Sequence, residues 1–167
     1  MKILVMSDTH GDATVISHVI HQNPDVDKIF HCGDSELNFS APELQNALKV
    51  RGNCDHDGQL PLEIIEEIEG KRIFMTHGHL FNVKFELTTL SFRARELGAD
   101  VVLFGHSHVL GVELVDRILY VNPGSLLLPR RRKEKSYAIV ETVENGWHII
   151  FYTEEKQVIE EKTLLYK

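Results

Sequence analysis

Apolar positions along this chain fall into short runs, each closed by polar residues and usually by a glycine. The first run, KILVM at 2–6, is followed by Ser7, Asp8 and Gly11 and predicts a strand. Val15, Ile16, Val19 and Ile20 then recur at helical spacing, with Asp12 placed to cap the helix and Pro24 beyond its end. Further strands are expected at 28–30, 47–50, 71–75 and 101–104, rich in β-branched and aromatic residues that suit a sheet covered on both faces. Between the last two, Leu87, Leu90, Ala94 and Leu97 form a second helical stripe, closed by Gly98. From Gly111 onward only strands are expected, at 112–115, 118–121, 136–143, 147–152 and 157–165, with a hairpin turn at 144–146. A βα-alternating first part and an antiparallel last part predict an α/β sandwich of two packed sheets with helices outside.

The chemistry sits where the early strands end. Five signatures close five strands: SDTHGD (7–12), CGDSE (32–36), RGNCD (51–55), THGH (76–79) and GHSH (105–108). Carboxyl ends of parallel strands share one edge of a sheet, so all five are expected to converge on one pocket. Asp8 and His10 are two apart, as are His106 and His108; in extended chain that spacing sends both side chains to the same side. Asp34 and Asn53 each follow a glycine that lets the chain turn. Together with His77 these residues offer three oxygen donors and four imidazoles, too many for one tetrahedral ion. Two divalent ions roughly 3.5–4 Å apart and bridged by one carboxylate would use them all. Imidazole mixed with oxygen suits Mn²⁺, Fe²⁺, Zn²⁺ or Ni²⁺ better than Ca²⁺. Only Asp8 and Asp34 bring negative charge to this set, so the site is expected to stay positive, to ionise a bridging water to hydroxide, and to bind phosphoryl oxygens.

The ordered set of motifs resembles the calcineurin-like metallophosphoesterase superfamily, with its D-x-H, G-D, G-N-H-[DE], further histidine and G-H-x-H. It is most similar to the small single-domain bacterial and archaeal phosphodiesterases, which share the short GNCD form and the NPGS segment at 122–125. The resemblance spans nearly the whole chain and implies a four-layer α/β/β/α sandwich of two mixed sheets, and homodimers as a frequent state. It implies one metal held by Asp8, His10, Asp34 and His108 and a second held by Asp34, Asn53, His77 and His106. Asp34 would bridge the two, and Mn²⁺ heads a range that includes Ni²⁺, Zn²⁺, Fe²⁺ and Mg²⁺. It also favours His77 over His79 as the ligand in THGH and places the 122–125 turn beside the pocket.

The departure from the pattern is Cys54, where larger relatives carry a histidine near the leaving group. A thiol of pKa about 8.5 replaces an imidazole of about 6.5, so His79 or His56 becomes an alternative proton donor. The catalytic set is thus Asp34 and Asn53, with Cys54 and His79 as candidates on the leaving-group side. His31, inside a strand, reads as a packed residue behind the ligands; His18, His21 and His148 carry no signature. Asp55 and Gly33 are expected to shape the site.

Composition narrows the alternatives. At 167 residues, 43% hydrophobic and 26% charged, the chain fits a single domain over 1–167. No apolar run reaches the ~20 residues of a membrane span, and the N-terminal stretch turns polar too soon for a signal peptide, so a cytoplasmic location is expected. Cys32 and Cys54 lie in no CxxC arrangement and read as reduced thiols. A net charge of −7 argues against nucleic-acid partners and hence against a nuclease. RRRKEK at 130–135 reads mainly as a solvated loop, with Arg130 as a candidate phosphate contact. The expected function is hydrolysis of small or nucleotide-like phosphodiesters by a metal-bridging hydroxide. The rivals are a phosphomonoesterase or protein phosphatase, and a non-catalytic scaffold like the retromer subunit of the same superfamily.

Overall fold

The computed structural model describes residues 1–167. Its elements are strand β1 (Lys2–Met6), helix α1 (Ala13–Gln22), β2 (Lys28–His31), a single 3-10 turn (Pro42–Leu44) and β3 (Ala47–Lys49). β4 (Glu63–Ile68), β5 (Lys71–Thr76), helix α2 (Thr88–Glu96) and β6 (Val101–Leu103) follow. The chain ends with β7 (Gly111–Val115), β8 (Ile118–Asn122), β9 (Tyr137–Val143), β10 (Gly146–Tyr152) and β11 (Val158–Leu165). Asp12 caps α1 as expected, its side chain accepting from the Val15 N–H.

Two mixed sheets result. The first runs β11-β10-β9-β1-β2-β3 and the second β4-β5-β6-β8-β7. Alternation along the strands builds the layers. Ile3 and Val5 of β1, Ile73 and Met75 of β5, and Val101 and Leu103 of β6 point into the space between the sheets, where Trp147 and Phe151 join them. Leu4 and Met6 point the other way, onto Val15, Ile16 and Val19 of α1. Phe74 and Val102 pack outward onto Leu90 and Ala94 of α2. The order is therefore helix, sheet, sheet, helix, the four-layer arrangement expected. No helix is long and apolar enough to cross a membrane.

Two expectations need correcting. β4, EIIEEI, is a strand that the pattern did not reveal, because Glu63, Glu66 and Glu67 dilute its apolar content. It is an edge strand of the second sheet, where Ile64 and Ile68 reach the core and Ile65 is 48% exposed. The five signature-bearing strands also do not share one sheet. β1, β2 and β3 lie parallel in the first sheet, and β5 and β6 lie parallel in the second. Their carboxyl ends meet because the two sheets face each other, so the site straddles the seam between them.

Candidate metal centre

The loops after β1, β2 and β3 and those after β5 and β6 interlock at this seam. Backbone hydrogen bonds zip the first two loops together: Asp8 N–H to Gly33 O, His10 N–H to Asp34 O and Gly11 N–H to Ser35 O, at 3.0, 3.0 and 2.8 Å. Gly105 N–H bonds His77 O at 3.0 Å, joining the two loops of the other sheet. The pairs Asp8/His10 and His106/His108 are not extended, contrary to expectation. All four have positive φ, at 54°, 42°, 67° and 58°, and Asp34 shares it at 52°. Left-handed backbone at non-glycine residues is strained and persists only where surrounding structure fixes it, often at functional sites.

What fixes it is a set of buried anchors. The Asp55 carboxylate accepts the N–H groups of Asp34, Gly52 and Glu36 at 2.8, 2.7 and 2.7 Å, clamping the CGDSE and RGNCD loops together. Ser125 Oγ–H donates to Asp8 O at 2.7 Å, and Asn122 Nδ2 donates to Gly105 O at 3.0 Å. The 122–125 turn thus borders the pocket by bracing its loops from behind. Asp8 Oδ2 accepts from Ser7 Oγ–H and the His106 N–H at 2.6 and 3.1 Å, leaving Oδ1 free.

Around that free oxygen stand three imidazoles. Asp8 Oδ1 is fully buried with no hydrogen-bond partner, yet His108, His10 and His77 bring Nε2 to 3.1, 3.9 and 3.9 Å from it. His77 Nε2 also lies 3.2 Å from Asp34 Oδ2 and 3.1 Å from Asn53 Oδ1. The opposite ring nitrogens are engaged elsewhere. His77 and His108 donate Nδ1–H to the carbonyls of Cys32 and Leu128, both at 2.7 Å. A carbonyl only accepts, so Nδ1 must carry hydrogen and Nε2 is the atom left to bind a proton or a cation. Three ligand groups follow from the distances: Asp8, His10 and His108; Asp8, Asp34 and His77; and, clear of Asp8, His10, Glu36 and Cys54. Donor type and the orphaned buried oxygen both fit divalent cations.

The charges agree. Burial opposes ionisation of Asp8 and Asp34, but His108 outweighs it for the first and His77 for the second, and both carboxyls fall below the usual range. For His77 and His108 burial again opposes charge, and the facing carboxylates overcome it, raising both. Protons therefore stand where cations would bind. His106 is pushed down to about 4 by burial and by His77.

The sequence model of the calcineurin-like phosphoesterase superfamily domain matches residues 1–145. The chain belongs to this superfamily. A probable metallophosphoesterase of Bacillus subtilis, YsnB, is 40% identical over 162 residues, covering 96% of each chain. Phosphodiesterase MJ0936 of Methanocaldococcus jannaschii is 31% identical over 144 residues, 74% of this chain and 83% of the relative. The crystal structure of a "predicted phosphoesterase" from Streptococcus pneumoniae superposes with a TM-score of 0.94 at 36% identity, covering 99% and 97% of the two chains. As a calcineurin-like metallophosphoesterase, the chain is a metal-dependent phosphoester hydrolase, of a family that works with divalent cations.

The other expected residues of this phosphoesterase lie around the centre at varying distance. His106 stands ring to ring with His77 at 5.1 Å but belongs to none of the three close ligand groups. His79 lies 5.4 Å from the His77 ring, half-buried, with Nδ1 buried and unpartnered. Cys54 is half-buried and unbonded to Cys32, and burial, then the charge of Asp34, pushes its thiol up to about 11. His31 is fully buried, accepting the Gly33 N–H at Nδ1, 3.2 Å away, and meeting Thr9 Oγ1 through Nε2 at 3.0 Å. Both nitrogens are spent, and burial lowers its pKa to about 4, so it supports the loops from beneath as a neutral ring. Arg130 is exposed and bonds His108 O only through its backbone N–H. Farther along that loop Arg132 and Lys135 face Glu160 and Glu154 at 4.0 and 3.6 Å, as a solvated basic run would.

Sequence reasoning gave no role to Glu36, whose Oε1 takes His10 Nδ1 at 2.5 Å. It sits inside the CGDSE signature, but its role depends on a contact 26 positions away. Ser7 gave no signal of its own and Ser125 only as part of the 122–125 turn, since serine at a strand end is ordinary turn chemistry.

Proposed function

We propose that this chain hydrolyses small or nucleotide-like phosphodiesters at a centre for two divalent cations, Mn²⁺ first among them. The carrying observation is the arrangement of His10, His77 and His108: each outer nitrogen is tied and each Nε2 faces the orphaned Asp8 Oδ1. Asp8, His10, Asp34 and His108 would hold one cation, and Asp34, Asn53, His77 and His106 the other. Asp8 belongs to both of the groups that surround it and would lend its charge to either cation. When bound, the cations supply Lewis acidity that activates water and positive charge that binds phosphoryl oxygens.

The protein's own residues do the rest. Nδ1–H bonds to Cys32 O and Leu128 O hold the His77 and His108 rings in one orientation and tautomer. The Cys54 N–H donates to Asp34 Oδ1 at 2.7 Å, which aims Oδ2 at the centre. Asp55 clamps together the two loops that carry Asp34 and Asn53. Arg130, whose backbone N–H bonds His108 O and whose charge acts on His108, is the candidate of the basic run for a substrate phosphate.

The test is a screen of chelator-stripped protein against monoesters, diesters and cyclic nucleotides with Mn²⁺, Ni²⁺, Zn²⁺ or Mg²⁺ restored. Bis(p-nitrophenyl) phosphate is expected to turn over faster than p-nitrophenyl phosphate, with two cations bound per chain. Preference for the monoester would replace the diester reading with a phosphatase, and cation binding without activity on any ester would leave a scaffold.

For the leaving group we assign His79 above Cys54. Burial, then the charge of His77, lowers His79 below the usual imidazole range, but its Nδ1 is buried and unclaimed and so free to face a leaving group. A thiol raised to about 11, by contrast, holds its proton too tightly to give it up near neutrality. His79→Ala is expected to lower kcat about 10²-fold for diesters of ordinary alcohols, the low end of general-acid contributions. It should change little for p-nitrophenyl esters, whose leaving group departs without a proton. Cys54→Ala should stay near the parent rate on both, and a drop as severe as that of Asp34→Ala would give Cys54 the role instead.

A further inference from the structure

Of the three imidazoles around Asp8, two are anchored by backbone and one is not. The carbonyls that hold His77 and His108 belong to Cys32 and Leu128 and cannot be altered by changing a side chain. His10 hangs on the Glu36 carboxylate, whose side chain is 40% exposed. Glu36 is itself held in place for this contact. Its φ is +54°, and its N–H donates to Asp55 Oδ1, the residue that also clamps Asp34 and Gly52. The loop bearing His10 is zipped to the loop bearing Glu36 by the bonds from His10 N–H to Asp34 O and Gly11 N–H to Ser35 O. Both ends of the His10–Glu36 contact therefore rest on a fixed frame.

A neutral imidazole has one N–H. Glu36 accepts it at Nδ1, which leaves the lone pair on Nε2, 3.4 Å from His108 Nε2 and 3.9 Å from Asp8 Oδ1. We propose that Glu36 is a positioning residue that sets the tautomer and ring angle of His10 and so controls cation affinity in the Asp8–His10–His108 group. This rests on the two-cation reading above. Without Glu36 the ring can rotate about its own bonds or place hydrogen on Nε2, and that group loses affinity while the Asp8–Asp34–His77 group keeps it. Carboxylate partners of metal-bound histidines are typically worth 10–100-fold in affinity.

The test compares parent protein with Glu36→Ala, Glu36→Gly and Glu36→Gln by Mn²⁺ calorimetry and by ¹⁵N shifts of the His10 ring in the metal-free proteins. Glycine suits the positive φ, so one removal variant carries no added backbone strain. Glutamine keeps an oxygen that can accept Nδ1–H. The expected result is two Mn²⁺ on the parent, about 10–100-fold weaker binding of one in the Ala and Gly variants, and near-parent binding in Gln. The ring shifts should move from the Nδ1–H tautomer toward a mixture in Ala and Gly alone. Unchanged affinity in both removal variants would overturn the proposal. Equal losses in Gln and Ala would make Glu36 a direct ligand, which also overturns it. Failure of the parent to bind Mn²⁺ at all would instead refute the two-cation reading, so the two failures are distinguishable.

Discussion

Asp34→Ala is expected to lower phosphodiester hydrolysis by about a thousandfold, roughly 4 kcal/mol of barrier, and to reduce bound Mn²⁺ from two per chain to at most one. Three features place so much on this side chain. Its Oδ2 lies 3.2 Å from His77 Nε2, its Oδ1 is fixed by the Cys54 N–H, and its own N–H is held by Asp55. The carboxylate is thus immobilised at the junction of the loops from the first sheet and the histidine from the second. Metal content by atomic emission and kcat on bis(p-nitrophenyl) phosphate check it. Full activity with two ions bound would remove Asp34 from the centre.

Gly52→Ala and Gly105→Ala should be nearly as damaging, for a steric reason. A Cβ at Gly52 would sit 2.0 Å from Asp34 Oδ1 and 2.5 Å from Asp34 N. One at Gly105 would sit 2.0 Å from Ser7 Oγ and 2.6 Å from Asp8 Oδ2. Neither position can yield by moving a flexible side-chain end, because the atoms struck are the buried carboxylates of Asp34 and Asp8, the Asp34 backbone and the serine that bonds Asp8. Overpacking of this kind costs about 3 kcal/mol, which for a chain of this size lowers Tm by about 6–12 °C. Gly58→Ala, with open space around its Cβ, is the control and should melt with the parent. A Gly52→Ala protein with parent Tm and parent Mn²⁺ affinity would contradict the packing described.

The fold and the site differed in how far they could be read from sequence. Periodicity placed both helices and ten of the eleven strands because the inner layer is built on plain alternation, as in Ile3/Val5 against Leu4/Met6. It failed at β4, where one face of an edge strand meets water and three glutamates mask Ile64 and Ile68. The candidate ligands were legible because each lies in a short signature at a strand end. Their geometry was not: spacing suggested extended pairs, and the chain instead turns left-handed at Asp8, His10, Asp34, His106 and His108. Asp and His adopt left-handed backbone more readily than most residues, but a sequence marks it only weakly, because what enforces it is distant. Here it is Asp55, Asn122 and Ser125, whose bonds to the loops span up to 117 positions. Glu36 was invisible for the same reason.

Because Asp8, His10, Asp34 and Asn53 follow strands of one sheet while His77, His106 and His108 follow strands of the other, every distance across the centre is also a measure of sheet separation. That separation is set by side chains far from any chemistry, such as Trp147 and Phe151 packed among Ile3, Met75 and Leu103. The interior of the sandwich is in this sense the ruler of the active site. A substitution deep in the core that leaves the protein folded but lets the sheets drift by a fraction of an ångström would be felt first as weaker metal binding and slower turnover.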